Sequence, residues 1–361
     1  MFSFNMSSIF NSVWVTIIML GLLVVVHEFG HFITARFFGV TVYEFSVGFG
    51  PLIGKFQRKG IQYSFRWLLL GGYVKIAGMD NSLEGESPAQ KSGELTFLDI
   101  SLWKKIAIIA AGPLFNFILA LLVFFGTITL MGAPIQDNSP TIGSVLQHSP
   151  AYQAGLQPGD RILAIGGNPV KTWGDIITLV QKHGKNPIEF QVLRHGAQKT
   201  LQITPTFDRQ SNRYLVGIQN NPMPIFKKVP LHEAIQKTIT LPGEIIKAIS
   251  NIVTRKVKLE LAGPIGMVKM VNQSMQYPFM LRIFEWLILM VEISISLFLF
   301  NILPLPLPLL DGGWIMILLL ERLLRREFSA EQKATAQMIG LVTIIALAIF
   351  IGYHDILNFR K

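Results

Sequence analysis

The chain has 361 residues, half of them hydrophobic and only 15% charged, with no cysteine and a formal charge of +10. This composition is too apolar for an ordinary soluble protein of the same length and points to a polytopic membrane protein. The absence of cysteine excludes disulfides and thiolate metal ligands, so any transition-metal site must use His, Asp or Glu.

The positive charge does not mark a nucleic-acid binder, and no nucleic-acid partner is expected. The basic residues cluster beside apolar runs, as at Lys104-Lys105 and from Arg322 to Arg326, where they meet lipid headgroups and set topology.

In chain order, Val13 to Ala35 is an apolar stretch of 23 residues, long enough to cross a bilayer and interrupted only by His27, Glu28 and His31. The first 35 residues carry no Lys or Arg, unlike the basic start of a cleavable signal peptide. Val42 to Gly50 and Ile61 to Arg66 alternate β-type residues and read as hairpin strands. Ile106 to Met131 has no charged residue over 26 positions and is a second span. Residues 139–206 change character: short strands at Thr141–Val145, Arg161–Ile165, Ile188–Val192 and Thr200–Thr204 are separated by Gly and Pro turns, with a helix near Gly174 to His183. They form a small soluble α+β insert.

Residues 207–284 follow as a surface segment. Its stretch from 231 to 258 sets Ile235, Ile239, Ile245, Ile249 and Ile252 among Lys and Arg and breaks at Pro242-Gly243, the pattern of a helix pair lying on the membrane. Trp286 to about Pro304 is a third span, carrying Glu292. Met338 to Tyr353 is a short fourth span of 16 residues. The expected fold is a polytopic α-helical membrane protein of about four transmembrane helices with a membrane-associated β-hairpin region and one inserted domain. Its parts are residues 1–138, 139–206, 207–284 and 285–361.

The segment from Lys55 to Lys105 holds eight Lys or Arg and the turn from Arg322 to Lys333 holds four. By the positive-inside rule these face the cytoplasm, so both termini and the insert lie outside it.

His27-Glu28-Phe29-Gly30-His31 fits H-E-x-x-H. The i, i+4 spacing puts two imidazoles on one helix face, suited to a single Zn2+ ion, with Glu28 beside them to take a proton from water. Each ionisable group within a span costs roughly 2.5 kcal/mol or more on insertion scales. Three of them in five positions therefore mark a functional site.

A catalytic zinc takes three protein ligands and keeps one open position. The other histidines, at 148, 183, 195, 232 and 354, fall in the insert, the surface segment or a terminus. Two acidic residues, Glu292 and Asp311, lie in or near an apolar span and remain candidates for the third ligand. Asp311 is favoured because Pro304, Pro306 and Pro308 before it and Gly312-Gly313 after it break the helix, allowing a carboxylate to turn into a cavity at membrane depth.

These residues resemble the bacterial site-two proteases, especially the regulator-of-sigma-E protease group. The likeness runs through His27 to His31, Val47-Gly-Phe-Gly-Pro51, Leu70-Gly-Gly-Tyr-Val-Lys75, Ala111-Gly-Pro-Leu-Phe-Asn116, Leu261-Ala-Gly-Pro-Ile-Gly266 and Asn301 to Gly313. The insert resembles a single PDZ domain through Ser149-Pro-Ala151, Ala154 to Ile162 and Gly166 to Val170.

The resemblance implies an intramembrane zinc metalloprotease of the bacterial inner membrane. Its partners would be the lipid bilayer and single-span membrane proteins, anti-sigma factors or remnant signal peptides, which it cuts within their transmembrane segments. It also implies that His27, His31 and Asp311 bind zinc and that Glu28 activates water. Asn116 and Asn301 would contact the substrate or support the site. Gly71, Gly72 and Tyr73 would lie beside it, where an extended substrate adds as a strand. One departure stands out. The family pattern Asn-x-x-Pro-x-Pro-x-x-Asp-Gly carries an extra Pro-Leu here, so counting back from Asp311 puts Leu303, not Asn301, at the Asn position. Alternating prolines favour an extended segment that absorbs the extra length, and Asn301 is expected to keep the role.

Overall fold

The computed structural model describes residues 6–79, 93–209, 212–220, 224–254, 263–304 and 306–359. Leu261 and Ala262 of the quoted motif, and Leu305 of the proline run, lie outside the described residues. In chain order the elements are α1 (Met6–Phe37), β1 (Val42–Arg58), β2 (Ile61–Ile76), α2 (Leu102–Leu130), β3 (Ala133–Ile135) and β4 (Ile142–Val145). Next come α3 (Pro150–Gln153), β5 (Arg161–Ile165), β6 (Asn168–Pro169), α4 (Trp173–His183), β7 (Ile188–Arg194) and β8 (Ala197–Ile203). The short strands β9 (Thr206–Asp208), β10 (Arg213–Leu215), β11 (Ile218–Asn220) and β12 (Ile225–Lys227) follow. The chain ends with α5 (Leu231–Val253), α6 (Pro264–Ser274), α7 (Phe279–Ile302), α8 (Asp311–Leu324) and α9 (Ala330–Phe359). They form two compact units, one of residues 1–130 with 230–361 and one of residues 131–229.

Among the described residues of the first unit, four helices are long and apolar enough to cross a bilayer: Ser7–Phe37, Leu102–Leu130, Phe279–Ile302 and Ala330–Tyr353. The last is longer than the 16 residues expected, because only Glu331 and Lys333 interrupt the run before it and the helix continues through them. The surface segment also differs from expectation. Instead of a broken pair, α5 is one helix running through Pro242, which removes a single i→i−4 bond without ending it.

Helix α1 crosses α2 at backbone contact. A Cβ at Gly30 would strike the Ala111 carbonyl and come within 3.0 Å of Gly112 Cα, so this crossing needs glycine. Below it, a core of Phe32, Ala35, Val40, Val42, Ile61, Val74, Ile76, Phe97, Ile108 and Ile109 joins α1, the sheet and α2, with Trp314, Ile315 and Leu318 of α8 packed against it.

The β region is more folded than a hairpin. The first half of β1 pairs on one side with Gly72–Ile76 and on the other with Gln62–Phe65, while Gly54–Arg58 pairs with Ile61–Phe65. The chain doubles back at Gly48, whose φ of +89° lies in the left-handed region and whose missing side chain admits the Arg66 carbonyl. The inner face of β1 buries Glu44 and Ser46. Glu44 Oε1 accepts hydrogen bonds from the Tyr73 hydroxyl at 2.9 Å and from Arg66 at 3.4 Å, and Arg66 also donates to the Gly50 carbonyl at 2.9 Å. Burial alone would raise the Glu44 carboxyl; hydrogen bonds from Ser64, Tyr73, Arg66 and Gln62 outweigh it and hold it low. The outer half exposes Phe49, Leu52, Ile53, Phe56, Phe65, Trp67 and Leu68, an apolar surface suited to lipid.

The second unit has its own core of Ile142, Ile162, Ile165, Ile188, Phe190, Val192 and Ile203, with α4 contributing Ile176 and Val180. Its sheet runs β6-β5-β7-β8. The sequence places this domain at 139–206, but it extends to 131–229. β11 pairs with β4, and β12 pairs with β3, so residues 213–227 belong to it and not to a surface segment. Near the core, Arg194 forks onto Asp160, Nε to Oδ1 at 2.7 Å and Nη2 to Oδ2 at 2.6 Å, and Gln157 N donates to Oδ2 at 2.9 Å. Burial would raise the Asp160 carboxyl, yet Arg194 and the Gln157 N–H hold it below the usual range.

A carboxyl lowered in the folded state stabilises above its unfolded pKa, and that contribution fades as pH falls through the folded pKa. Arg194→Met leaves Asp160 buried without its partner and is expected to cost the 131–229 unit about 3–5 kcal/mol at neutral pH. The deficit should shrink on acidification as the carboxyl protonates. Denaturant unfolding followed by Trp173 fluorescence checks both.

Candidate metal centre

His27 and His31 project from α1, and Asp311 opens α8, where the proline run after α7 delivers it back to α1. His27 Nε2 lies 3.0 Å from Asp311 Oδ2, and His31 Nε2 lies 3.5 Å from Oδ1. The two Nε2 atoms are 3.2 Å apart. All three donor atoms fall within 4.8 Å of one another, the one such group of His, Asp or Glu found among the described residues. Glu292 is not in it; it lines a different cavity with Met270, Ser274, Glu285 and Trp286.

Helix α2 forms the back wall. His31 Nδ1 donates to the Ile108 carbonyl at 2.9 Å, which leaves its Nε2 lone pair facing Asp311. Pro113 withholds a backbone donor from this same turn of α2. Gly112 sits under both rings: a Cβ there would strike His31 Nε2 and lie 2.8 Å from His27 Nε2. The His27 Nδ1 atom is 3.3 Å from the Asn116 amide, and Asn116 is held by its own carbonyl, which accepts from Ser294 of α7 at 2.7 Å.

In front of the cluster is a cavity of about 260 Å³ lined by Val24, His27, Glu28, Phe49, Gly71, Gly72, Asn116, Leu297 and Asn301. Gly72 lies against Glu28, since an added Cβ would be 3.4 Å from Glu28 Cγ. The ring of Phe49 occupies the space that a side chain at Gly71 would take. Asn301 lies in this cavity, while Leu303 is 46% exposed and packs its carbonyl against Gly312. Tyr73 stands apart from the other candidates. It is 7% exposed, and its hydroxyl is engaged by Glu44 and Arg66, so it braces the sheet and does not face the cavity. Sequence reasoning missed Gly112, the Ile108 carbonyl, Ser294 and Phe49. Gly112 and Phe49 lie within the quoted motifs Ala111–Asn116 and Val47–Pro51, but nothing in the sequence said what either touches; for Ser294 the signal was a serine in an apolar run.

The sequence matches peptidase family M50 over residues 15–347. The chain belongs to that family. Relatives named "putative zinc metalloprotease" include one from Mesorhizobium japonicum, 30% identical with 93% of this chain and 96% of that protein covered. Others are from Rickettsia conorii, 32% identical with 95% and 97% covered, and Campylobacter jejuni, 32% identical with 94% and 92% covered. Among solved structures, the PDZ domain of an SdrC-like protein from Listeria monocytogenes is 21% identical, covering 24% of this chain and 92% of that one, with a TM-score of 0.21.

This M50 chain offers a donor set that fits a metal ion. Asp311 Oδ2 is buried without a hydrogen-bond partner, although His27 Nε2 is near it. Gly112 leaves the space beside both imidazole nitrogens clear. Two imidazoles and one carboxylate are a three-ligand catalytic zinc set. Gly112→Ala puts a methyl group into that space, and at least a tenfold loss of bound metal is expected. Metal analysis of purified protein checks this; unchanged metal content would show that the space at Gly112 is not needed.

Proposed function

We propose that this chain is a zinc-dependent intramembrane endopeptidase that cuts single-span membrane proteins within their transmembrane segments. The observation that carries this reading is the convergence of His27 and His31, within the apolar helix α1, on Asp311 at the start of α8, with Glu28 on the wall of the adjoining cavity. The names of the relatives support zinc as the ion.

His27, His31 and Asp311 would hold the zinc, which supplies Lewis acidity, polarising a peptide carbonyl and lowering the pKa of water to roughly 7. Glu28 takes the proton from the attacking water and hands it to the leaving amine. Glu28 is suited to this because it sits next to the first ligand without being one.

A transmembrane substrate helix has its amides internally bonded, so it must unwind before its backbone can be attacked. The Gly72–Ile76 strand is paired on its β1 side only, among the described residues, and its glycine end adjoins Glu28. An unwound substrate can pair along it. Gly71 and Gly72 leave room for that backbone, and Asn301 faces the same cavity as a donor to a substrate carbonyl. The basic segments from Lys55 to Lys105 and from Arg322 to Lys333 support placing the cytoplasm on their side of the bacterial inner membrane. The PDZ-like unit and both termini are then outside. There the unit acts as a filter or reader of pre-trimmed substrates, such as anti-sigma factors or signal-peptide remnants.

Glu28→Gln should abolish cleavage of a tagged single-span substrate while zinc remains bound, whereas Asp311→Ala should lose both. Turnover and metal content are measured on the same preparations. Zinc lost from Glu28→Gln, or kept by Asp311→Ala, would break this division of roles.

A further inference from the structure

His27 and His31 are held from behind by different chemistry. Behind His31 is a backbone carbonyl, which can only accept, so Nδ1 carries the proton and Nε2 presents a lone pair. Behind His27 is the side-chain amide of Asn116, which can do either. As the atoms stand, Asn116 Nδ2 faces His27 Nδ1 at 3.3 Å, and Asn116 Oδ1 is buried with no hydrogen-bond partner. That orientation requires an acceptor at Nδ1 and so places the His27 proton on Nε2. The proton then points into the gap between His31 Nε2, 3.2 Å away, and Asp311 Oδ2, 3.0 Å away. A metal-binding imidazole needs the opposite tautomer, with its proton on Nδ1 and an acceptor behind it.

A half-turn of the amide exchanges its oxygen and nitrogen within the same outline. The orientation present leaves Oδ1 buried and unpartnered, so it has no claim over the flipped one, and the choice rests on what His27 requires. We infer that Asn116 serves as a positioning residue for the metal, with its amide oxygen accepting from His27 Nδ1–H and fixing the tautomer that aims Nε2 at Asp311. The side chain is fully buried, and its backbone is pinned by Ser294 from α7. The acceptor is therefore held in place by the packing of α2 against α7. This assigns Asn116 to the ligand His27 and not to the substrate. The inference rests on the zinc reading above.

The test is a zinc competition titration with a chromophoric chelator on the full-length, detergent-purified chain, comparing wild type with Asn116→Leu, Asn116→Ala and Asn116→Asp. Thermal unfolding identifies folded variants, and Ala replaces Leu if Leu does not fold. Leu and Ala should weaken zinc binding about 10- to 100-fold. Asp can only accept at neutral pH, and it should restore binding close to wild type. Wild-type affinity in Leu and Ala would overturn the inference in favour of a substrate-side role. Loss in Asp as large as in Leu would also overturn it, because His27 would then need the amide N–H. A wild-type chain that binds no zinc at all would instead overturn the metalloprotease reading, and this inference with it.

Discussion

Two imidazole nitrogens 3.2 Å apart with a carboxylate oxygen 3.0 Å from one of them repel through their lone pairs unless a proton or a cation lies between them. The chain accepts this crowding in a region where water is scarce and each ionisable group is costly. Much of the surrounding structure serves to hold those three groups together. Gly30 lets α1 touch the α2 backbone, Gly112 leaves both rings room, and the proline run turns Asp311 back after α7. Ser294 ties α7 to α2 at Asn116, one turn beyond the wall that supports the histidines.

The sheet answers a second requirement. On the proposed reading, a cleavage site in a lipid environment must offer backbone partners to a substrate that has lost its own, and an edge strand does so only if its position is fixed. Arg66 links Glu44, Ser46, Tyr73 and the Gly50 carbonyl into one network. This braces the corner that carries Phe49 and the strand that begins at Gly72. The polar inner face of β1 thus does structural work, while the apolar outer half of the same sheet suits lipid.

The grouping of His27, His31 and Asp311 was legible in the sequence because each residue rests on local arithmetic. Spacing i, i+4 puts His27 and His31 on one face, and the lack of cysteine leaves few alternatives for the third donor. Asp311 stood out from Glu292 because a helix break must precede it. The roles of Ile108, Gly112 and Ser294 were not legible, since they depend on where α1 and α7 cross α2, which no periodicity encodes. Nor could the sequence show that β1 pairs on both of its sides. The inserted unit was drawn too short because β11 and β12 are only three residues each and pair with strands far back in the chain. In the Asn301 to Asp311 run, two residues more than the family spacing left the register ambiguous. The structure places Asn301 in the cavity, with Leu303 turned outward.

X-ray absorption at the zinc edge of the purified full-length chain tests the central claim most directly, because it reads the ligands and not the activity. The account predicts about one zinc per chain, with two imidazole nitrogens near 2.0–2.1 Å and carboxylate oxygen near 2.0–2.2 Å. A shell with fewer than two imidazoles, or a chain that retains no zinc after purification in zinc-supplemented buffer, would contradict it.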